Sequence, residues 1–209
     1  MTEQELLSEF KEFARWARKA GKYDLAKCSS GNLSHRLDDG TMLVSASRSW
    51  LSNLNIDQVV QVSCIDGKVL KGNVPTGELL LHLAVMNRNP GINTILHCQS
   101  PAATSIACMI PQDIDYNVII EVPIYIGNIK HVSFIKPGSQ ELADAVAEAS
   151  VNAGVIQMQN HGQVITGNSF KDVIQKAVFF ELACNIMLKS NFQYSTIKAD
   201  HIQQLKGYR

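Results

Sequence analysis

The sequence predicts an α/β domain in which helices cover the faces of a largely antiparallel sheet. Two observations carry this. Short apolar and β-branched runs are joined by Asp-Gly and Asn-His-Gly turns, which fold a chain back on itself as hairpins. Between them lie segments whose apolar residues recur every three or four positions, the period of an amphipathic helix. No internal repeat, low-complexity stretch or linker interrupts residues 1–209, so they are read as one domain.

Along the chain, residues 3–20 place Leu6, Leu7, Phe10, Phe13, Ala14 and Ala17 on one helical face, and Gly21 can end that helix. Residues 32–37 and 41–45 flank Asp38-Asp39-Gly40 as a hairpin, and 59–65 with 68–70 repeat the pattern around Asp66-Gly67. Pro75 opens a second helix through about Asn87, stopped by Asn89-Pro90. Residues 94–97 form a short buried strand, Pro101 starts a helix faced with Ala and Ile, and two or three short strands fall between Pro111 and Pro137. Ser139 caps a helix to about Asn152, and residues 155–159 and 163–166 are strands on either side of Asn160-His161-Gly162. Ser169 caps a long helix to about Ser190, and a tail helix starts from Lys198.

Hydrophobic residues make up 45% and charged residues 18%, a balance that can fill a core and argues against disorder. Nineteen basic residues match nineteen acidic ones, so charge gives no basis for a nucleic-acid or membrane partner. The acidic, polar start lacks the form of a signal peptide, and no run nears the roughly 18 apolar residues of a membrane span. Five cysteines without a CxxC pair fit a reducing compartment, so a cytoplasmic protein is expected.

Three groups of residues can do chemistry. His97 ends a strand with Gln99 on the same side and Cys98 on the other, while His161 sits in a turn between two strands. Imidazoles from two strand ends, with a third side chain beside one of them, can make a metal site; spacing alone leaves two ordinary histidines as the simpler reading. Pro75-Thr76-Gly77-Glu78 stands at a helix start, where free N–H groups and the dipole favour an anion. Glu78 there is either a dipole-satisfying acid or a general base, and His82, one turn on, can bond it. Ser29-Ser30-Gly31-Asn32 and Ser45-Ala46-Ser47-Arg48 offer hydroxyls, backbone amides and a guanidinium to a phosphate or carboxylate.

Five pieces in order resemble the class II aldolase and adducin family: Ser30-Gly31-Asn32-Leu-Ser-x-Arg36, the Ser-x-Ser of 45–47, Pro75-Thr76-x-Glu78-x-x-x-His82, Leu96-His97-x-Gln99-Ser100 and Asn160-His161-Gly162. They span roughly residues 5–190. The resemblance implies a three-layer α/β/α domain on a mostly antiparallel sheet, assembled as a homotetramer with sites between subunits. It implies a divalent-metal lyase that cleaves a ketose phosphate by a retro-aldol reaction through a metal-bound enediolate. Epimerisation or dehydration of a sugar phosphate on the same site, or an adducin-like domain without catalysis, are the alternatives. His97, Gln99 and His161 fall at the positions of the metal ligands, with zinc the expected ion. Glu78 falls at the acid/base. Ser30, Gly31, Asn32, Ser47, Arg48, Thr76 and Gly77 fall at the phosphate loops, and Tyr116 in the region of a tyrosine that protonates the leaving aldehyde in a neighbouring subunit's site.

Three departures from the family pattern bear on chemistry. Gln99 stands where a histidine is usual, so the site is expected to bind zinc weakly, to prefer an ion tolerant of oxygen ligands, or to hold none. Gly77 replaces a hydroxyl residue, and Arg48 replaces a glycine. That exchange on adjacent loops predicts retained anion binding with a changed anion, including a carboxylate-bearing substrate. The short tail, Gly207-Tyr208-Arg209, is expected to add little to a neighbour's site.

Overall fold

The computed structural model describes residues 1–109, 113–205 and 207. The boundary read at Pro111 and the tail residues Tyr208 and Arg209 lie outside them. Eight strands form one sheet: β1 (Asn32–Arg36), β2 (Thr41–Ser45), β3 (Val59–Ser63), β4 (Val69–Lys71), β5 (Thr94–Cys98), β6 (Ile129–Val132), β7 (Val155–Met158) and β8 (Gly162–Gly167). Their spatial order is β4-β3-β2-β1-β5-β8-β7-β6, and β6–β7 is parallel while the other neighbours pair antiparallel.

Helices α1 (Glu3–Lys22), α3 (Pro101–Ala107) and α5 (Phe170–Lys189) cover one face of the sheet, and α2 (Leu79–Arg88) and α4 (Gln140–Ala149) cover the other. The three-layer arrangement is therefore as expected. Period-two alternation divides the strand side chains between the layers. Leu33, Leu43, Leu96 and Ile165 pack with Phe13 and Phe180 on one face; Met42, Val44, Ile95 and Val164 pack with Val85 and Leu142 on the other. Ser139 and Ser169 cap α4 and α5, accepting from Leu142 N and Asp172 N at 3.1 and 3.2 Å. A short helix, α6 (Ala199–Gln204), follows. Among the described residues no helix is long and apolar enough to cross a membrane.

Four local readings need correction. Residues 74–76 stay extended because Pro75 bridges Ala46, Thr76 N donates to Ser45 O and Ser47 N donates to Val74 O. The second helix thus begins at Leu79, with Glu78 as its N-cap rather than in its first turn. Between 113 and 137 only β6 is a strand; Val122–Ile126 is a π-helical turn. Its buried Val122, Ile124 and Ile126 alternate as a strand would, yet the segment packs on α5, with Tyr125 5.3 Å from Phe179 between ring centroids. α1 runs through Gly21 to Lys22, and α4 ends at Ala149, before Asn152 turns left-handed at φ 61°.

Candidate metal centre

Antiparallel order brings the chemical residues to one end of the sheet. β1 and β8 begin there and β2, β5 and β7 end there, so Asn32 stands opposite His97, Cys98 opposite Gln163, and the turn at His161 lies beside them. The N-cap of α2 closes over this end from one face. Gly31 allows the close fit: a Cβ on it would meet Ala26 Cβ at 2.6 Å and the His97 carbonyl at 3.1 Å.

Glu78 meets both imidazoles. Its Oε2 lies 3.3 Å from His97 Nε2 and its Oε1 3.3 Å from His161 Nε2, with ligand atoms of all three residues within 4.8 Å of one another. The side chains of Glu78, His97 and His161 are only 12%, 2% and 11% exposed, so water does little to screen them. His97 Nδ1–H donates to Gln163 O at 2.9 Å, so Nε2 is the nitrogen that faces the carboxylate. Burial, with a smaller contribution from His97, lowers the His161 pKa against the pull of Glu78. Among the described residues Glu78 Oε1, although buried, has no hydrogen-bond partner, and neither has His161 Nδ1.

A divalent cation fits this set. It would answer the orphaned carboxylate oxygen and take a nitrogen from each ring, and two imidazoles with a carboxylate are a known zinc donor set. Burial opposes the charge on Glu78, but the imidazoles and Asn32 outweigh it, so its carboxyl titrates below the ordinary range and stays ionised. Gln99 is beside the cluster: a Cβ on Gly162 would lie 2.8 Å from Gln99 Cγ and 3.4 Å from His97 Cε1. Cys98 points to the opposite face, into the core, as alternation predicts.

The anion-binding residues divide. Ser47 and Arg48 are exposed on the loop after β2, and Gly77 is exposed on the segment hydrogen-bonded to it. Arg48 has φ 59°, the left-handed conformation that favours glycine. Thr76 is buried and its hydroxyl accepts from Glu78 N at 3.3 Å; the Ser30 hydroxyl accepts from Lys27 N at 3.1 Å. Asn32 is spent on other partners: Nδ2 donates to Glu78 Oε2 at 3.2 Å and Oδ1 faces His82 Nε2 at 2.5 Å. The expected bond from His82 to Glu78 is thus replaced by one through Asn32. Period two on β1, which sets Asn32 and Ser34 on one face toward α2, is the signal that could have found this.

Tyr116 needs correction. It is 4% exposed in the core on the far face of the sheet, stacked on His131 with its hydroxyl 3.3 Å from His131 Nε2 and its ring 5.3 Å from Phe180. Burial pushes its phenol well up in pKa. A side chain so enclosed does not reach a neighbouring subunit's site.

A carboxylate and two histidines converging at one sheet end of an α/β/α domain are a set of side chains that could hold a metal ion. The chain belongs to the family described as Class II Aldolase and Adducin N-terminal domain, whose model matches residues 11–188. It is 31% identical over 166 residues to the 3-oxo-tetronate 4-phosphate decarboxylase of Escherichia coli strain K12, covering 77% of each chain. It is 30% identical over 178 residues to the L-fuculose phosphate aldolase of Methanocaldococcus jannaschii, covering 85% of this chain and 94% of that one. The crystal structure of YgbL from Escherichia coli superposes with a TM-score of 0.90 at 26% identity, covering 96% of this chain and 99% of that one.

Proposed function

We propose that this chain is a divalent-metal-dependent lyase that breaks a carbon–carbon bond beside a carbonyl in a phosphorylated sugar or sugar acid. Decarboxylation of a phosphorylated 3-oxo acid is the first reaction to test. The convergence of Glu78 on His97 and His161 with Oε1 unpaired carries this reading. His97, His161 and Glu78 would hold the ion, with Gln99 alongside. A bound divalent ion draws electron density from the substrate's carbonyl and hydroxyl oxygens.

In decarboxylation, the bond from the carboxylate carbon breaks and its electron pair moves toward the neighbouring carbonyl. Carbon dioxide leaves and the enediolate takes one proton at carbon. Glu78 would move that proton, since it is the ionised carboxylate of the site. Arg48, Ser47 and Gly77, on two loops held together by backbone hydrogen bonds, would grip the phosphate or carboxylate end, with Ser30, Gly31 and Thr76 shaping the floor. The Arg48 guanidinium favours a substrate with a second anionic group, and the name of the decarboxylase relatives, 3-oxo-tetronate 4-phosphate decarboxylase, describes such a substrate.

Retro-aldol cleavage is the second reading, favoured by the aldolase relatives. It requires an acid for the leaving aldehyde, and Tyr116 is enclosed, so a residue of another subunit would supply it. A homotetramer suits this. The exposed Val69 and Leu70 on edge strand β4, with Ile65 and Val74 nearby, are surface that association would cover. The five unpaired cysteines suit a cytoplasmic setting.

The test is direct. Zinc- or manganese-loaded protein is incubated with 3-oxo-tetronate 4-phosphate and, separately, with ketose 1-phosphates, following carbon dioxide and aldehyde. Carbon dioxide release that a chelator stops is the expected result. Release of neither product by metal-loaded protein would sink the lyase reading.

A further inference from the structure

Behind the residues that can touch a substrate, three buried groups form one line of hydrogen bonds ending at Glu78. Ser34 Oγ lies 2.6 Å from His82 Nδ1, His82 Nε2 lies 2.5 Å from Asn32 Oδ1, and Asn32 Nδ2 lies 3.2 Å from Glu78 Oε2. The direction of each bond is forced. An ionised carboxylate only accepts, so Asn32 turns its NH2 toward Glu78 and its carbonyl toward His82. That carbonyl also only accepts, so His82 carries its proton on Nε2. The Nδ1 of a neutral imidazole then accepts from the Ser34 hydroxyl. Burial, opposed by Glu78, lowers the His82 pKa to about 4, which keeps the ring in the neutral form the line requires. Ser34 and His82 are 0% exposed and Asn32 8%, so water does not compete for these groups.

The line does something the local chain would not. Glu78 is the N-cap of α2, where a carboxylate ordinarily folds back onto the helix's first N–H groups. Here its side chain makes no cap hydrogen bond and is instead turned out to meet Asn32. We propose that Ser34 and His82 are positioning residues: acting through Asn32, they hold the Glu78 carboxylate at the 3.3 Å it keeps from both His97 and His161. The inference rests on reading those three residues as a metal centre. Partners behind a metal ligand typically set its affinity by 10–100-fold without touching the ion.

His82→Met keeps bulk and removes the donor, whereas His82→Gln returns an N–H near the place of Nε2. Zinc affinity is measured by competition with a chromophoric chelator. It is expected to fall about 10–100-fold in H82M, to recover in H82Q to within about 5-fold, and to fall no further when H82M is added to N32A. No loss in H82M, or the same loss in the N32A background, overturns the inference. A crystal structure of H82M gives a reading that needs no metal: the Asn32 amide is expected to turn and its contact with Glu78 to open. Both residues unmoved would overturn the inference. Wild-type protein that binds no zinc while this contact opens in H82M would contradict the metal reading alone. If H82M does not fold, Ser34→Ala removes the far end of the line. It is expected to cost about 5-fold in affinity through the same dependence on Asn32, and no cost overturns the inference.

Discussion

His97 donates its Nδ1–H to the carbonyl of Gln163 across 2.9 Å, and that bond turns Nε2 toward the carboxylate of Glu78, 3.3 Å away. The strand pairing that sets Cys98 opposite Gln163 makes this orientation a property of the sheet rather than of a loop. With the His97 ring fixed by the sheet, the ligand set can be varied against it. Gln99 is the variable one. Gln99→His is expected to raise zinc affinity about 10-fold or more, because imidazole replaces a neutral amide. Competition against a chelator measures it, and equal affinities would show that position 99 does not ligate.

Glu78→Gln keeps an acceptor for Asn32 and removes the charge and the proton carrier. Turnover of whichever substrate is established is expected to fall about 10²–10⁴-fold, with far-ultraviolet circular dichroism unchanged. Undiminished turnover would remove Glu78 from the mechanism.

Arg48 tests the substrate class. A side chain in the left-handed region costs roughly 1–2 kcal/mol, so Arg48→Gly is expected to melt no lower than wild type. The same change should raise KM for a substrate bearing phosphate and carboxylate about 10-fold or more, as a charge-assisted contact is lost. An unchanged KM would place Arg48 outside the site.

Acid stability reports on His82. Its pKa is about 4 in the fold against an ordinary 6.5 in the unfolded chain, so below pH 6.5 the unfolded state binds the extra proton. Stability is full above pH 6.5 and falls as pH drops toward 4, by on the order of 3 kcal/mol from this group. His82→Gln should flatten the dependence of melting temperature on pH across that window. An unaltered profile would mean the ring is not held neutral.

Much of the fold was legible because its signals are local. Asp-Gly turns marked both hairpins, and Ser139 and Ser169 marked helix starts. The Val122–Ile126 segment was not, since its burial alternates as in a strand and only contact with α5 shows otherwise. The metal centre was legible only as an ordered resemblance. Glu78, His97 and His161 are far apart in sequence, and spacing carries no information on which sheet end they share. The start of α2 was misplaced because a proline opens helices from sequence, whereas Pro75 here bridges Ala46. The bond from Asn32 to His82 was missed because it joins a strand to a facing helix.

The central claim is that Glu78, His97 and His161 hold a divalent ion, and elemental mass spectrometry of untagged protein purified without chelators tests it most directly. About one zinc or other divalent ion per chain is predicted, and it should be lost in His161→Ala. No metal, and none taken up when zinc or manganese is added back, would contradict the account.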